Sequence, residues 1–215
     1  MSSALRWSWV GVAAAVILVM QGGVAWAGVP TDQLRGRIDR VLKVLDPETK
    51  QDGRSEERRA AIRKIADDTF DFREMSQRSL ARHWQSRTPA ERDEFTRLFA
   101  DVLERAYFGQ IEQYTGGEKV LYISETVEGD QAQVRTKLVT KQGTEIPVEY
   151  RMHRVGDRWL VYDVTIEGVS LVANYRAQFD RVIRASSYQQ LAEKLKARKD
   201  EADADGGKRA SSTPK

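Results

Sequence analysis

The chain has 215 residues, 35 of them basic and 32 acidic, a net charge of +3 and no cysteine. Without cysteine there are no disulfides and no thiolate metal ligands, so the fold must stand on packing alone. Acidic and basic residues are interleaved rather than gathered into a basic stripe, which argues against a nucleic-acid partner.

Residues 1–27 read as a secretory signal peptide. Arg6 supplies the positive charge, Val10 to Met20 form the apolar run, and Ala25-Trp26-Ala27 offers a small-x-small cleavage site. That run is too short for a membrane span, which needs about 20 apolar residues. An uncleaved anchor extended through Gly22 to Trp26 is the alternative, and the small residues at the cleavage point favour removal near Ala27. Export with no mitochondrial-type Arg/Ser enrichment suits a bacterium. Residues 28–198 fit one domain, and residues 199–215, which hold no aliphatic side chain larger than alanine, are expected to be a disordered polar tail.

Thr31-Asp32 can cap a first helix with Leu34, Ile38, Val41, Leu42 and Leu45 on one face, ended by Asp46-Pro47. A second helix is predicted from about Ser55 to Thr69, with Ile62, Ile65 and Ala66 buried. Asp71 and Glu74 form a D-x-x-E start for a short third helix whose apolar residues are Phe72, Met75, Leu80 and Trp84. Thr88-Pro89-Ala90-Glu91 is a capping box with proline at the first helical position. It opens the longest helix, about Pro89 to Gln113, which carries Phe95, Leu98, Phe99, Val102, Leu103, Ala106, Phe108 and Ile111.

Four strand-like runs follow, at about 119–127, 131–140, 144–155 and 158–167, separated by Glu128-Gly129-Asp130, Lys141-Gln142-Gly143 and Gly156-Asp157. These are hairpin connections, so the strands should form an antiparallel meander. Pro147 removes one ladder donor and calls for a bulge or a place near a strand end. After Gly168 a fifth helix carries Val169, Val172, Tyr175, Ala177, Phe179, Val182 and Ile183, and Ser186-Ser187 restarts a last one with Leu191 and Leu195. Helices first and sheet second give an α+β fold, with N-terminal helices on one face of a four-stranded antiparallel sheet.

No constellation makes a case for chemistry. The two histidines, His83 and His153, are far apart in sequence and His153 falls on the charged face of its strand, so no metal site is expected. Asp163 and Glu167 lie four residues apart on one strand face and could act as acid and base if burial separated their pKa values. The competing reading pairs each with an arginine. The chain contains no G-x-S-x-G, P-loop or G-x-G-x-x-G pattern. Broad apolar faces remain, and periodicity alone cannot say whether they pack together or stand apart around a ligand.

The run Phe70-Asp71-Phe72-Arg73-Glu74-Met75, then Leu80 to Trp84 and Thr88-Pro89, resembles the MlaC family of periplasmic phospholipid carriers, also described as toluene-tolerance auxiliary proteins of an ABC lipid transporter. Trp159 to Leu171, followed by Asn174-Tyr175-Arg176 and Phe179, is similar to that family's signature, and the likeness spans about residues 60–195. The resemblance implies an α+β fold distantly like the nuclear-transport-factor-like class, with an apolar pocket for acyl chains. It implies a carrier without cofactor or catalysis that moves phospholipid between an inner-membrane MCE-type ABC transporter complex and an outer-membrane lipoprotein–porin complex. On that reading the pocket is lined by Phe99, Leu103 and Tyr107 of the long helix, Val148, Tyr150 and Met152 of the third strand, and Tyr162, Val164 and Ile166 of the fourth. Leu171 and Tyr175 would close it. A carrier of hopanoid or another polycyclic lipid, an enzyme on the same fold using Asp163 or Glu167, and an adaptor that binds no ligand are the alternatives.

Overall fold

The computed structural model describes residues 29–46, 55–112 and 116–197. The expected signal peptide over residues 1–27, a loop expected from Glu48 to Arg54 and the expected polar tail over residues 199–215 lie outside the described residues.

Helix α1 spans Val29–Leu45 and α2 spans Ser55–Thr69. Thr31, expected to cap α1, instead sits inside its first turn, because the helix begins two residues earlier. There its backbone N–H donates to Glu125 at 2.7 Å, which ties the start of α1 to the sheet. Helix α3 (Phe72–Leu80) starts as its sequence dictates, with the Asp71 carboxylate accepting from the Glu74 N–H at 2.9 Å. It stops short of Trp84, and a 3-10 turn over Ala81–His83 takes the chain out of it. Helix α4 spans Pro89–Glu112 and its capping box is reciprocal. The Thr88 N–H donates to Glu91 at 2.8 Å, and the Glu91 N–H donates to the Thr88 hydroxyl at 3.2 Å.

Strands β1 (Lys119–Glu128), β2 (Gln131–Val139), β3 (Glu145–Val155) and β4 (Arg158–Ile166) form the expected meander. A fifth strand, β5 (Val169–Ser170), turns back on β4 through Glu167 and Gly168, both at positive φ, and completes a five-stranded antiparallel sheet. Two residues leave no alternation to read, so sequence patterning passes straight into the next helix. Helix α5 spans Leu171–Ala185 with Ser170 as its cap. A last helix, α6, runs over 188–197, and Ser187 caps it by accepting from the Gln190 N–H at 3.1 Å.

Pro147 is the third residue of β3 and pairs in register with Lys137, so it needs no bulge. Its carbonyl accepts from the Glu167 N–H at 3.0 Å, beyond the last residue of β4, where no ladder bond is lost. The two irregularities fall elsewhere, between Tyr122 and Ser124 on β1 and opposite Arg151–Met152, where Tyr162 is the extra residue of β4. The second bulge adjoins the backbone of Phe70 and Asp71: Phe70 bridges Val161, and the Asp71 N–H donates to the Val161 carbonyl at 2.9 Å.

The apolar side chains divide into two clusters. One is helical and gathers α3, α4, α5 and α6 around Phe95, Phe99 and Phe179. Its rings meet edge to face, Phe99 with Phe179 at 5.4 Å and Phe95 with Phe179 at 5.5 Å, a preferred aromatic geometry. The other lies on one face of the sheet, under Leu34 of α1. Phe70 packs against both.

Candidate functional site

The inward face of the sheet is read row by row from the strand register. The first row is Val127, Ala132, Met152 and Val161, and the second is Glu125, Val134, Tyr150 and Val164. The third is Tyr122, Thr136, Val148 and Ile166, and the fourth is Val120, Leu138 and Ile146. Helix α1 crosses the first rows. Its Leu34 is buried on them, and Arg37 and Gln33 grip the main chain of Trp159, through the carbonyl at 2.5 Å and the N–H at 2.8 Å. Ala132, Val134, Met152, Trp159, Val161 and Val164 are accordingly sealed.

Past α1 the cover ends. Val120, Tyr122, Leu138, Ile146, Val148 and Ile166 are all half-buried, and so are Tyr150 and Leu171 beside them. These aliphatic and aromatic side chains form one half-covered apolar patch on this face of the sheet. Thr136 is the buried polar exception, and it is satisfied by the Val148 carbonyl at 3.2 Å. Two tyrosines, Tyr122 and Tyr150, belong to the patch. Burial pushes Tyr150 up to about 12, against a smaller opposing effect of Thr136, and burial likewise raises Tyr122 to about 12. Both stay neutral at physiological pH, which suits contact with hydrocarbon. The Arg35 guanidinium lies 4.5 Å over the Tyr122 ring, where it sets a positive charge at the boundary between α1 and the patch.

The residues singled out from the sequence divide between the two clusters. Val148, Tyr150, Met152, Val164, Ile166 and Leu171 belong to the sheet cluster. Phe99, Leu103, Tyr107, Tyr162 and Tyr175 belong to the helical one. Phe99 and Tyr175 meet edge to face at 5.1 Å, and Tyr107 is half-buried, with its hydroxyl pKa raised by burial. Simple alternation would put Tyr162 beside Val164 and Ile166. The bulge turns it to the opposite face, where Arg78 stacks on it at 4.0 Å and His153 meets its edge at 5.7 Å. Sequence reasoning passed over Val120, Tyr122, Leu138 and Ile146. Alternation from the Glu128-Gly129-Asp130 turn reaches Leu138 on β2, but on β1 it would select Ile123 and Leu121; the bulge at Ile123 turns Tyr122 and Val120 inward instead.

Neither of two surface clefts is lined by any of the eleven residues expected in the acyl-chain pocket. One, of about 720 Å³, runs between α2 and α4 among Arg59, Arg63, Arg97, Asp101 and Glu104. The other, of about 400 Å³, lies between α3 and α5.

The groups considered for chemistry are in structural use. Asp163 is buried and accepts from the Ser170 hydroxyl at 2.6 Å and the Val172 N–H at 3.1 Å. It does not pair with an arginine, as one sequence reading had it; it fastens β4 to the start of α5. Glu167 is exposed at the corner, on positive-φ backbone, so Asp163 and Glu167 do not form a pair in one site. His153 is not on an open charged face, since its imidazole contacts the Asp71 carboxylate at 3.0 Å under α3. His83 contacts Asp180 at 2.8 Å. Among the described residues no three His, Asp or Glu side chains gather as metal ligands.

The family profile described as MlaC protein matches residues 36–197, three quarters of the chain. The chain belongs to the MlaC family. Among curated MlaC-like relatives, it is 25% identical over 92 residues to the toluene tolerance protein ttg2D of Pseudomonas putida. That match spans 43% of this chain and 43% of the relative. A phospholipid-binding protein from Ralstonia solanacearum, solved in complex with a phospholipid, has the same fold. The two superimpose with a TM-score of 0.70 at 23% identity, over 79% of this chain and 96% of the other. The α+β architecture read from the sequence is therefore that of this MlaC-family chain, with five strands in place of four.

Proposed function

We propose that this protein is a periplasmic phospholipid carrier, exported through residues 1–27 and working as the domain of residues 28–198. The observation that carries the reading is the half-covered apolar end of the sheet face, where Val148, Tyr150, Ile166 and Leu171 adjoin Tyr122 and Leu138. The acyl chains lie against these side chains. The phospholipid bound to the similarly folded Ralstonia protein supports that assignment.

The physical need is plain. Two acyl chains hold about 30 methylenes, each costing roughly 0.8 kcal/mol to expose to water, so free lipid does not cross an aqueous gap. A carrier replaces that water with side chains and performs no reaction, and the fastening of Asp163 to Ser170 and Val172 leaves it no catalytic part. Its exchange partners are an inner-membrane MCE-type ABC transporter complex and an outer-membrane lipoprotein–porin complex.

Native mass spectrometry of the exported protein, followed by solvent extraction, tests the reading. The expected mass is that of residues 28–215 plus phospholipid. Co-purified hopanoid would change the cargo. A protein that emerges empty and takes no lipid from phospholipid vesicles would overturn the carrier function.

A further inference from the structure

The cleft between α3 and α5 plays no part in the acyl-chain reading. Its floor is small and apolar, made of Leu80, Ala81, Ala173 and Ala177, and its rim carries Arg82, His83, Arg176, Asp180 and Arg184. Asp180 is the one carboxylate of that lining. It takes Arg82 at 2.6 Å, His83 at 2.8 Å and Arg184 at 3.8 Å. The His83 hydrogen bond first, then Arg82 and Arg184, hold its carboxyl below the usual carboxylate range. Three guanidiniums facing one carboxylate leave two positive charges in excess.

Arg176 is the most telling of the three. Its Nε donates to the Arg78 carbonyl at 2.8 Å, which fixes the side chain and leaves the terminal nitrogens free to meet a ligand. The opposite rim is set by backbone strain. Ala81 sits at φ +47 and ψ −119, a conformation that side-chain-bearing residues rarely adopt. That bend takes the chain from α3 into the 3-10 turn and brings Arg82 and His83 across to Asp180 of α5.

We infer that this cleft binds a phosphate group. The terminal nitrogens of Arg176 make a fork that matches two phosphate oxygens, and Arg82 and Arg184, which share Asp180, add the surplus charge that supplies the attraction. Two sources carry that chemistry, a free phosphate ion and the headgroup of an anionic phospholipid at a membrane surface. The membrane source adds to the carrier function a way of meeting the bilayer; the site itself stands independently of the acyl-chain patch.

The test uses the full mature chain. Inorganic phosphate is titrated by calorimetry, and vesicles of phosphatidylglycerol or phosphatidylcholine are used in flotation. Three variants are compared: R82Q/R176Q/R184Q, Arg176→Gln alone, and Asp180→Asn. The triple variant is expected to lose at least about tenfold in affinity for whichever anion binds, and Arg176→Gln, which leaves the Asp180 contacts intact, about threefold or more. Asp180→Asn removes the internal counter-charge and is expected to bind about threefold more tightly, an effect that arginines with a purely structural role would not give. Loss confined to phosphatidylglycerol vesicles names the headgroup as source, and loss of inorganic phosphate binding names the free ion. Equal binding by wild type and triple variant in both arms, or none in either, overturns the site. Co-purified lipid should be unchanged in all variants, so failure here is distinguishable from failure of the carrier reading.

Discussion

Replacing Asp163 by alanine probes the joint between sheet and C-terminal helices. The side chain is 4% exposed, and its oxygens serve the Ser170 hydroxyl at 2.6 Å and the Val172 N–H at 3.1 Å. Hydrogen bonds to a charged acceptor contribute about 1.5–3 kcal/mol each. Ser170 is half-buried and can turn to water, but the Val172 N–H is buried and would be left unsatisfied. The loss should be about 2–4 kcal/mol, or a fall in Tm of roughly 5–12 °C for a domain of this size. Thermal unfolding followed by circular dichroism measures it. Ser170→Ala should cost about 1 kcal/mol, since the same hydroxyl caps α5 by accepting from the Ala173 N–H. The double variant should cost less than the sum of the two, because they share a bond. Asp163→Asn should keep the co-purified lipid. A Tm for Asp163→Ala within 2 °C of wild type would refute the reasoning that this carboxylate is a fastener.

The remaining expectations are more local. Phe99→Ala, at the centre of the aromatic cluster and fully buried, should cost about 3–5 kcal/mol in urea denaturation. Thr88→Ala breaks the reciprocal cap of α4 and should lower stability by about 1 kcal/mol, measured the same way. Arg63 of α2 reaches Asp101 and Glu104 of α4 at 2.8 and 2.7 Å but is nearly half exposed, so a double-mutant cycle with Asp101 should give a coupling below about 1 kcal/mol that fades in high salt. Tyr150 has its folded pKa raised from 10.0 to about 12, so above pH 10 the unfolded state releases its proton first. Stability should hold below pH 10 and fall as pH rises toward 12, with a shallower fall in Tyr150→Phe; equal slopes for the two proteins would contradict the burial of that hydroxyl.

Much of the fold was legible because its signals are local. Asp71 with Glu74 and Thr88 with Glu91 carry their caps within four residues, and the glycine turns fix the meander. The boundaries of α2 and the first four strands follow to within a residue or so. What alternation could not carry was set by contacts distant in sequence. Tyr162 changes face because Phe70 and Asp71, some ninety residues away, pair with the backbone at Val161. Asp163 looked like half of a carboxylate pair, yet its partners come from a two-residue strand and the helix after it. The site was half legible for the same reason. Alternation names Val148, Tyr150 and Ile166 as one face, but it does not say that α1 buries Met152, Val161 and Val164 and leaves Tyr150, Val148 and Ile166 half-covered. That limit depends on where α1 anchors, through Thr31 to Glu125 and through Arg37 and Gln33 to Trp159. Arg37, a buried arginine whose pKa is lowered chiefly by that burial, reads in sequence as one more surface charge.

The central claim is that acyl chains rest on the uncovered rows of the sheet face. A phospholipid bearing a photoreactive group midway along one acyl chain, loaded from vesicles, irradiated and mapped by peptide mass spectrometry, tests it directly. The account expects cross-links on Val148, Tyr150, Ile166 and Leu171. Labelling confined to the charged cleft between α2 and α4, or spread evenly over the surface, would contradict it.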